Sequence, residues 1–127
     1  MPKRIHKLIS KGIINGIKYY IVKNGLYNGL SKKWGIWYCC YIEVPSNIEI
    51  YPHGGVTFTG ILPILKNNKR VVGWDYNHCD DITGNDDNFL ETRLQVIEEN
   101  YGIDNVIDIL TNDIGGVIDE ISYENIR

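Results

Sequence analysis

The sequence predicts an α+β fold: an antiparallel β-sheet built from the N-terminal half, with two C-terminal helices packed on one of its faces. Three observations carry this. The first half is rich in β-branched and aromatic residues punctuated by Asn-Gly dipeptides. From about Leu90 onward the apolar residues recur at helical spacing instead. Strands first and helices after is the order of a sheet covered on one side.

Taken in order, residues 4–14 and 17–23 read as two strands, and Asn15-Gly16 between them has the chemistry of a tight hairpin turn. Asn24-Gly25 and Asn28-Gly29 are read as further turns. Trp34 to Val44 is a long aromatic and β-branched run that ends at Pro45. Residues 46–54 form a loop, Val56 to Leu62 a strand, Asn67-Asn68 a turn, and Arg70 to Asp75 the last strand. Leu90, Leu94, Ile97 and Tyr101 then share a helical face, with Asn88 placed to cap, Glu91 to complete a capping box, and Gly102 to stop the helix. Ile103, Val106, Ile107 and Leu110 open a second helical face that Ile114, Val117, Ile118 and Ile121 continue. Gly115-Gly116 interrupts it, at about 1 kcal/mol per glycine relative to alanine, and marks an expected break or kink.

Length and composition bound the rest. The 127 residues suit a single domain spanning 1–127, and 43% hydrophobic residues supply enough apolar mass for a core. No run approaches the roughly 20 apolar residues of a membrane span, and the charged Met1–His6 segment is followed by no apolar signal core. Three cysteines, two of them adjacent at 39 and 40, make a poor disulfide framework. Together these predict a cytoplasmic protein without a membrane role.

The net charge of −3 conceals a polarity: residues 1–33 hold eight Lys or Arg and no acid, whereas Asp75 to Glu124 holds fourteen acids against Arg93 alone. The basic residues are spaced along strands and not clustered, so the preferred reading is that the two halves lie together and neutralise each other. Nucleic-acid binding is not indicated.

Polar groups with chemical potential gather in three segments outside the helices: Tyr41-Ile42-Glu43-Val44-Pro45, His53-Gly54-Gly55-Val56-Thr57-Phe58, and Gly73-Trp74-Asp75-Tyr76-Asn77-His78-Cys79-Asp80-Asp81. Each sits at the end of an apolar strand, where loops on a rigid scaffold carry function. Glu43 alternates with Ile42 and Val44, so it shares a face with Tyr41; it reads either as a ligand-binding carboxylate or as an exposed strand acid. The glycines after His53 permit φ > 0 and amides aimed at an anion; the plain alternative is a turn with a structural histidine. Asp75, His78, Asp80 and Asp81, within seven residues, form a mixture of carboxylate and imidazole that suits Zn²⁺, Mn²⁺ or Mg²⁺, or a general base, and the alternative is a solvated acidic loop; His53 is a further candidate acid, base or metal ligand. Trp74 would stack on a ligand. The spacing matches no closed zinc motif, and no nucleotide-hydrolase, serine-hydrolase or EF-hand pattern is present.

In their order and wording, these segments resemble a family of short proteins encoded mostly by bacteriophages and prophages, whose pattern is Tyr-x-Glu-Val-Pro, then His-Gly-Gly-(Val/Leu)-Thr-(Tyr/Phe), then Gly-(Phe/Trp)-Asp-x-x-His-x-x-Asp. Here the pattern is carried by Tyr41, Glu43, Val44, Pro45, His53 to Phe58, Gly73, Trp74, Asp75, His78 and Asp81. This chain departs from it at Tyr76-Asn77, where the family often has Cys-Ala, and in a shorter stretch between the proline and the histidine. The resemblance implies a phage context, hence the cytoplasm of a bacterial host and a counter-defence role by analogy, and it brings no activity with it.

Three functional readings follow. In the first, Glu43, His53, Gly54, Gly55, Trp74, Asp75, His78 and Asp81 line a pocket for a small nucleotide-like ligand. In the second, His53, Asp75, His78 and Asp81 hold a divalent metal in a hydrolase, with His53, Asp75 and His78 as the catalytic candidates. In the third, the protein inhibits a host enzyme through a surface, and the three segments are structural.

Overall fold

A computed structural model describes residues 4–44, 48–52, 54–76 and 86–126. Among these, five strands form one antiparallel sheet: β1 (Arg4–Ile14), β2 (Ile17–Asn28), β3 (Lys33–Ile42), β4 (Phe58–Ile61) and β5 (Arg70–Asp75), in the order β1-β2-β3-β5-β4. Two helices follow, α1 (Asp86–Tyr101) and α2 (Ile103–Ile126). This is the α+β architecture that the change of period predicts.

Asn15 (φ 50°) and Gly16 (φ 80°) make the β1–β2 turn as expected, both in the left-handed region that such hairpins require. Asn24-Gly25 is not a turn. β2 runs through it to Asn28, because Asn24 is held in the sheet by buried side-chain bonds and Gly25 lies under the Ile36 and Ile5 side chains. The chain turns instead at Asn28, whose side-chain oxygen accepts the N–H groups of Leu30 and Ser31. α1 begins at Asp86, two residues ahead of the expected cap Asn88. Gly102 (φ 95°) ends α1, its N–H donating to the Glu98 carbonyl at 3.0 Å. α2 is continuous through Gly115-Gly116, so the expected break does not occur; packing of its apolar face outweighs the glycine cost.

Period two sorts the strand residues onto two faces. The helix-covered face buries Ile21, Tyr38, Cys40, Ile42, Val72, Trp74 and Tyr76 against Leu94, Val106, Leu110, Ile114, Val117, Ile118 and Ile121. Glu98 of α1 fastens this interface: its carboxylate accepts from the Tyr38 hydroxyl and pairs with the Lys23 ammonium. That ion pair joins one residue of the basic half to one of the acidic half. The opposite face carries a smaller cluster, Tyr20, Val22, Cys39, Tyr41, Leu65 and Val71. Its cover is the β4–β5 connection, where Pro63–Leu65 form a 3₁₀ turn. No described helix is long and apolar enough to cross a membrane.

Candidate functional site

Glu43 follows β3 directly. Its N–H donates to the Lys18 carbonyl at 3.0 Å, which extends the β2–β3 pairing by one residue and sets Lys18 across from it. Alternation puts Lys18, Tyr20, Tyr41 and Glu43 together on the helix-free face. There the Tyr20 hydroxyl donates to Glu43 Oε2 at 2.5 Å. The same hydroxyl accepts from Asn67 Nδ2 at 2.8 Å. Asn67 is itself fixed by an Asx turn, its Oδ1 accepting the Lys69 N–H at 3.0 Å. The left-handed Lys66 (φ 56°) and Asn68 (φ 53°) on either side bend the connection so that Asn67 reaches the hairpin. Burial first, and then the bond to Glu43, pushes the Tyr20 hydroxyl up to about 12, so it stays protonated as a donor at neutral pH.

The connection does not close onto the hairpin. Between them lies a cleft of about 430 Å³ lined by Leu8, Lys11, Ile13, Lys18, Tyr20, Leu65 and Asn67, with the Gly12 backbone in its wall. Lys11 is the cross-strand partner of Tyr20, and both lysines are exposed. Among the described residues the one ion pair is Lys23–Glu98, so neither Lys11 nor Lys18 is neutralised there. The cleft therefore has apolar walls, two cations at its rim, and a carboxylate fixed by Tyr20 next to it.

Among the described residues, the structure brings Gly54-Gly55 toward Asp75 and sets Glu43 and Trp74 apart from it. Pairing of β4 with β5, extended by the Thr57 N–H donating to the Gly73 carbonyl at 2.9 Å, carries the Gly54-Gly55 turn toward the Asp75 end of β5. Gly54 (φ 70°) and Gly55 (φ 83°) take the left-handed conformation expected of them, but the Gly55 N–H is spent on the Pro52 carbonyl at 2.9 Å. Asp75 pairs with Cys39 and shares the helix-free face with Glu43. From Cys39 to Glu43 is four residues along β3, roughly 13 Å at about 3.3 Å per residue, with Tyr41 between. Glu43 thus stands at the end of β3, and Asp75 lies four residues further in, opposite Cys39.

Trp74 corrects the sequence reading most directly. It alternates with Asp75, faces the helices and is fully buried, so it does not share a pocket wall with Glu43. Its indole N–H donates to the Tyr76 hydroxyl at 3.1 Å, which in turn donates to Asp113 of α2. His53, His78 and Asp81 lie outside the described residues. Among the described residues no group of three His, Cys, Asp or Glu side chains is placed to hold a metal ion.

Sequence reasoning missed Tyr20, Asn67, Lys11 and Lys18. Lys11 and Lys18 could have been placed on one face by counting across the Asn15-Gly16 turn. Asn67 had no such signal, since its role depends on a connection folding back over a strand 47 residues away.

Compared with known protein families, curated proteins and solved structures, the chain matches none.

Proposed function

We propose that this protein is a binding module for a small, nucleotide-like ligand, and that the ligand occupies the cleft between the β1–β2 hairpin and the β4–β5 connection. One observation carries the reading: the hydrogen-bonded pair Asn67 and Tyr20 and two lysines without ion-pair partners among the described residues line one concave, otherwise apolar surface. Ligand sites are typically apolar clefts of roughly 300–1,000 Å³ with a few fixed polar groups, and this one falls within that range. Glu43, which accepts from the Tyr20 hydroxyl, stands beside this surface. The lysines answer the difficulty that carboxylates repel phosphate, because they stand at the rim where an anion would enter.

The resemblance of the three segments to phage and prophage proteins supports a place for this binding in phage accessory function, where sequestering a host nucleotide signal counters a defence. The test is a calorimetric and thermal-shift screen of the intact protein against mononucleotides and cyclic nucleotides. Saturable binding to at least one is the expected result. No heat and no stabilisation from any of them overturns the reading.

A further inference from the structure

We infer that the ligand lies lengthwise along the β1–β2 hairpin, its phosphate held by Lys11 and Lys18 at the turn end and an uncharged base set against Leu8 and Leu65 at the inner end. That is the chemistry of a mononucleotide with one anionic end. The inference rests on the cleft being the ligand site.

The order of groups along the cleft follows from register. On the helix-free face Ile13 stands across from Lys18, Lys11 across from Tyr20, and Leu8 across from Val22. Inward from the Asn15-Gly16 turn, the hairpin wall therefore passes from Ile13 and Lys18, through Lys11 and Tyr20, to Leu8. Burial follows the same order: Ile13 is 63% exposed and both lysines are exposed, whereas Leu8 is half-buried and Leu65 is buried. Leu8 and Leu65 belong to the apolar cluster of this face. Among the described residues, the charged members of the lining are Lys11 and Lys18. From Lys18 to Val22 is four residues, roughly 13 Å at about 3.3 Å per residue, which is room for a phosphate, a ribose and a base in line.

A β-bulge makes this arrangement possible. Leu8 and Lys11 are three residues apart, and in a regular strand they would point to opposite faces. Between Leu8 and Ser10 the register shifts, and β1 carries one extra residue against β2. The shift brings Leu8 and Lys11 to the same face, where both line the cleft. Re-aiming a side chain beside a site is a recurrent use of such bulges.

Solvation and charge then orient the ligand. A phosphate at the inner end would leave water for aliphatic walls that hold no counter-charge, which is costly. At the turn end it stays solvated and meets two ammonium groups. Lys11 and Lys18 are diagonal cross-strand neighbours, whose Cβ atoms are roughly 7–8 Å apart in such pairs, so their flexible stems can converge on one phosphate. A base at the inner end takes the apolar surface of Leu8 and Leu65 out of water.

The test uses the intact protein and two probes, ribose phosphate and AMP, which share the phosphate and differ by the base. Calorimetry compares the wild type with Lys11→Met, Lys18→Met and Leu8→Ala; Leu8 is chosen because it is half-buried, unlike Leu65. AMP binds the wild type more tightly than ribose phosphate. Each lysine variant weakens both probes by about tenfold, the scale of one charge-assisted hydrogen bond. Leu8→Ala weakens AMP by about fourfold, the scale of one buried CH₂ group, and leaves ribose phosphate unchanged. Amide-resonance mapping on the wild type, which needs no variant to fold, shows shifts at Lys11, Ile13 and Lys18 with both probes and at Leu8 and Leu65 with AMP alone. AMP-specific shifts at Ile13 and Lys18 instead overturn the orientation. AMP binding no tighter than ribose phosphate, or Leu8→Ala weakening both probes alike, overturns the placement of the base and leaves binding itself standing. Lysine variants that bind both probes as the wild type does overturn the anion end. No response to either probe removes this inference, and a blank nucleotide screen as well removes the cleft as a ligand site.

Discussion

Tyr20 of β2 and Glu43, just past the end of β3, are joined by a 2.5 Å hydrogen bond, and the bond fixes a carboxylate beside the cleft on the helix-free face. Removing the hydroxyl with Tyr20→Phe strands Glu43 Oε2 and Asn67 Nδ2 together. Stability should fall by about 1–2 kcal/mol in urea unfolding, within the range for hydrogen bonds to charged groups. Ligand affinity should fall with it, because Glu43 is no longer oriented. The same bond has a pH signature. Tyr20 ordinarily titrates near 10, and in the folded state it holds its proton up to about 12. A raised pKa means its contribution is complete below about 10 and is lost as pH rises toward about 12. Tyr20→Phe should flatten that part of the alkaline stability profile.

Gly73 sits beneath the Tyr41 ring. A Cβ there would lie 2.3 and 2.5 Å from two ring carbons and 3.1 Å from the Cys40 carbonyl oxygen. Gly73→Ala should therefore destabilise by about 1–3 kcal/mol, the usual cost of overpacking. In a Tyr41→Ala background the same change should cost much less, and a double-mutant cycle by denaturant unfolding measures the coupling.

The Glu98 carboxylate serves two partners, Tyr38 and Lys23. Glu98→Ala leaves both without it at a half-buried interface, and should cost about 1–3 kcal/mol. The paired change Lys23→Met with Glu98→Leu should recover part of that loss, because it removes the charges along with the bond.

Neither Cys39 nor Cys40 should react as a free surface thiol. Burial pushes Cys39 up to about 11 and Cys40 well above the ordinary range. In a Cys79→Ser variant, a thiol reagent at pH 8 should label neither in the folded state and both in denaturant.

Gly116 is an exposed residue inside the unbroken helix α2, and a Cβ there meets nothing within 4 Å. Gly116→Ala should stabilise the protein by about 0.5–1 kcal/mol, read as a rise in Tm.

The architecture was legible because most of it is written in local patterns. Asn15-Gly16 placed the hairpin, and the change from period two to helical spacing separated the sheet from the helices. Local patterns misled where tertiary contacts overrode them. Asn24-Gly25 has turn chemistry, yet His6 donates to Asn24 Oδ1, and Asn24 Nδ2 donates to the Cys39 thiol, which holds the pair inside β2. The site was legible only in part. Glu43 could be identified as a strand-end carboxylate facing the same way as Tyr41. Alternation along Gly73-Trp74-Asp75 also implied that Trp74 and Asp75 face apart, although proximity in sequence suggested a shared pocket. The cleft was not legible, since it exists only because residues 62–69 fold back over the first hairpin.

The most direct test of the central claim is a titration of the isotopically labelled protein with AMP, followed through its backbone amide resonances. The account predicts saturable shifts at Lys11, Lys18, Tyr20, Glu43 and Asn67, with Gly54, Gly55 and Asp75, outside the cleft, unmoved. Shifts confined to Gly54, Gly55 and Asp75, or none anywhere, would contradict it.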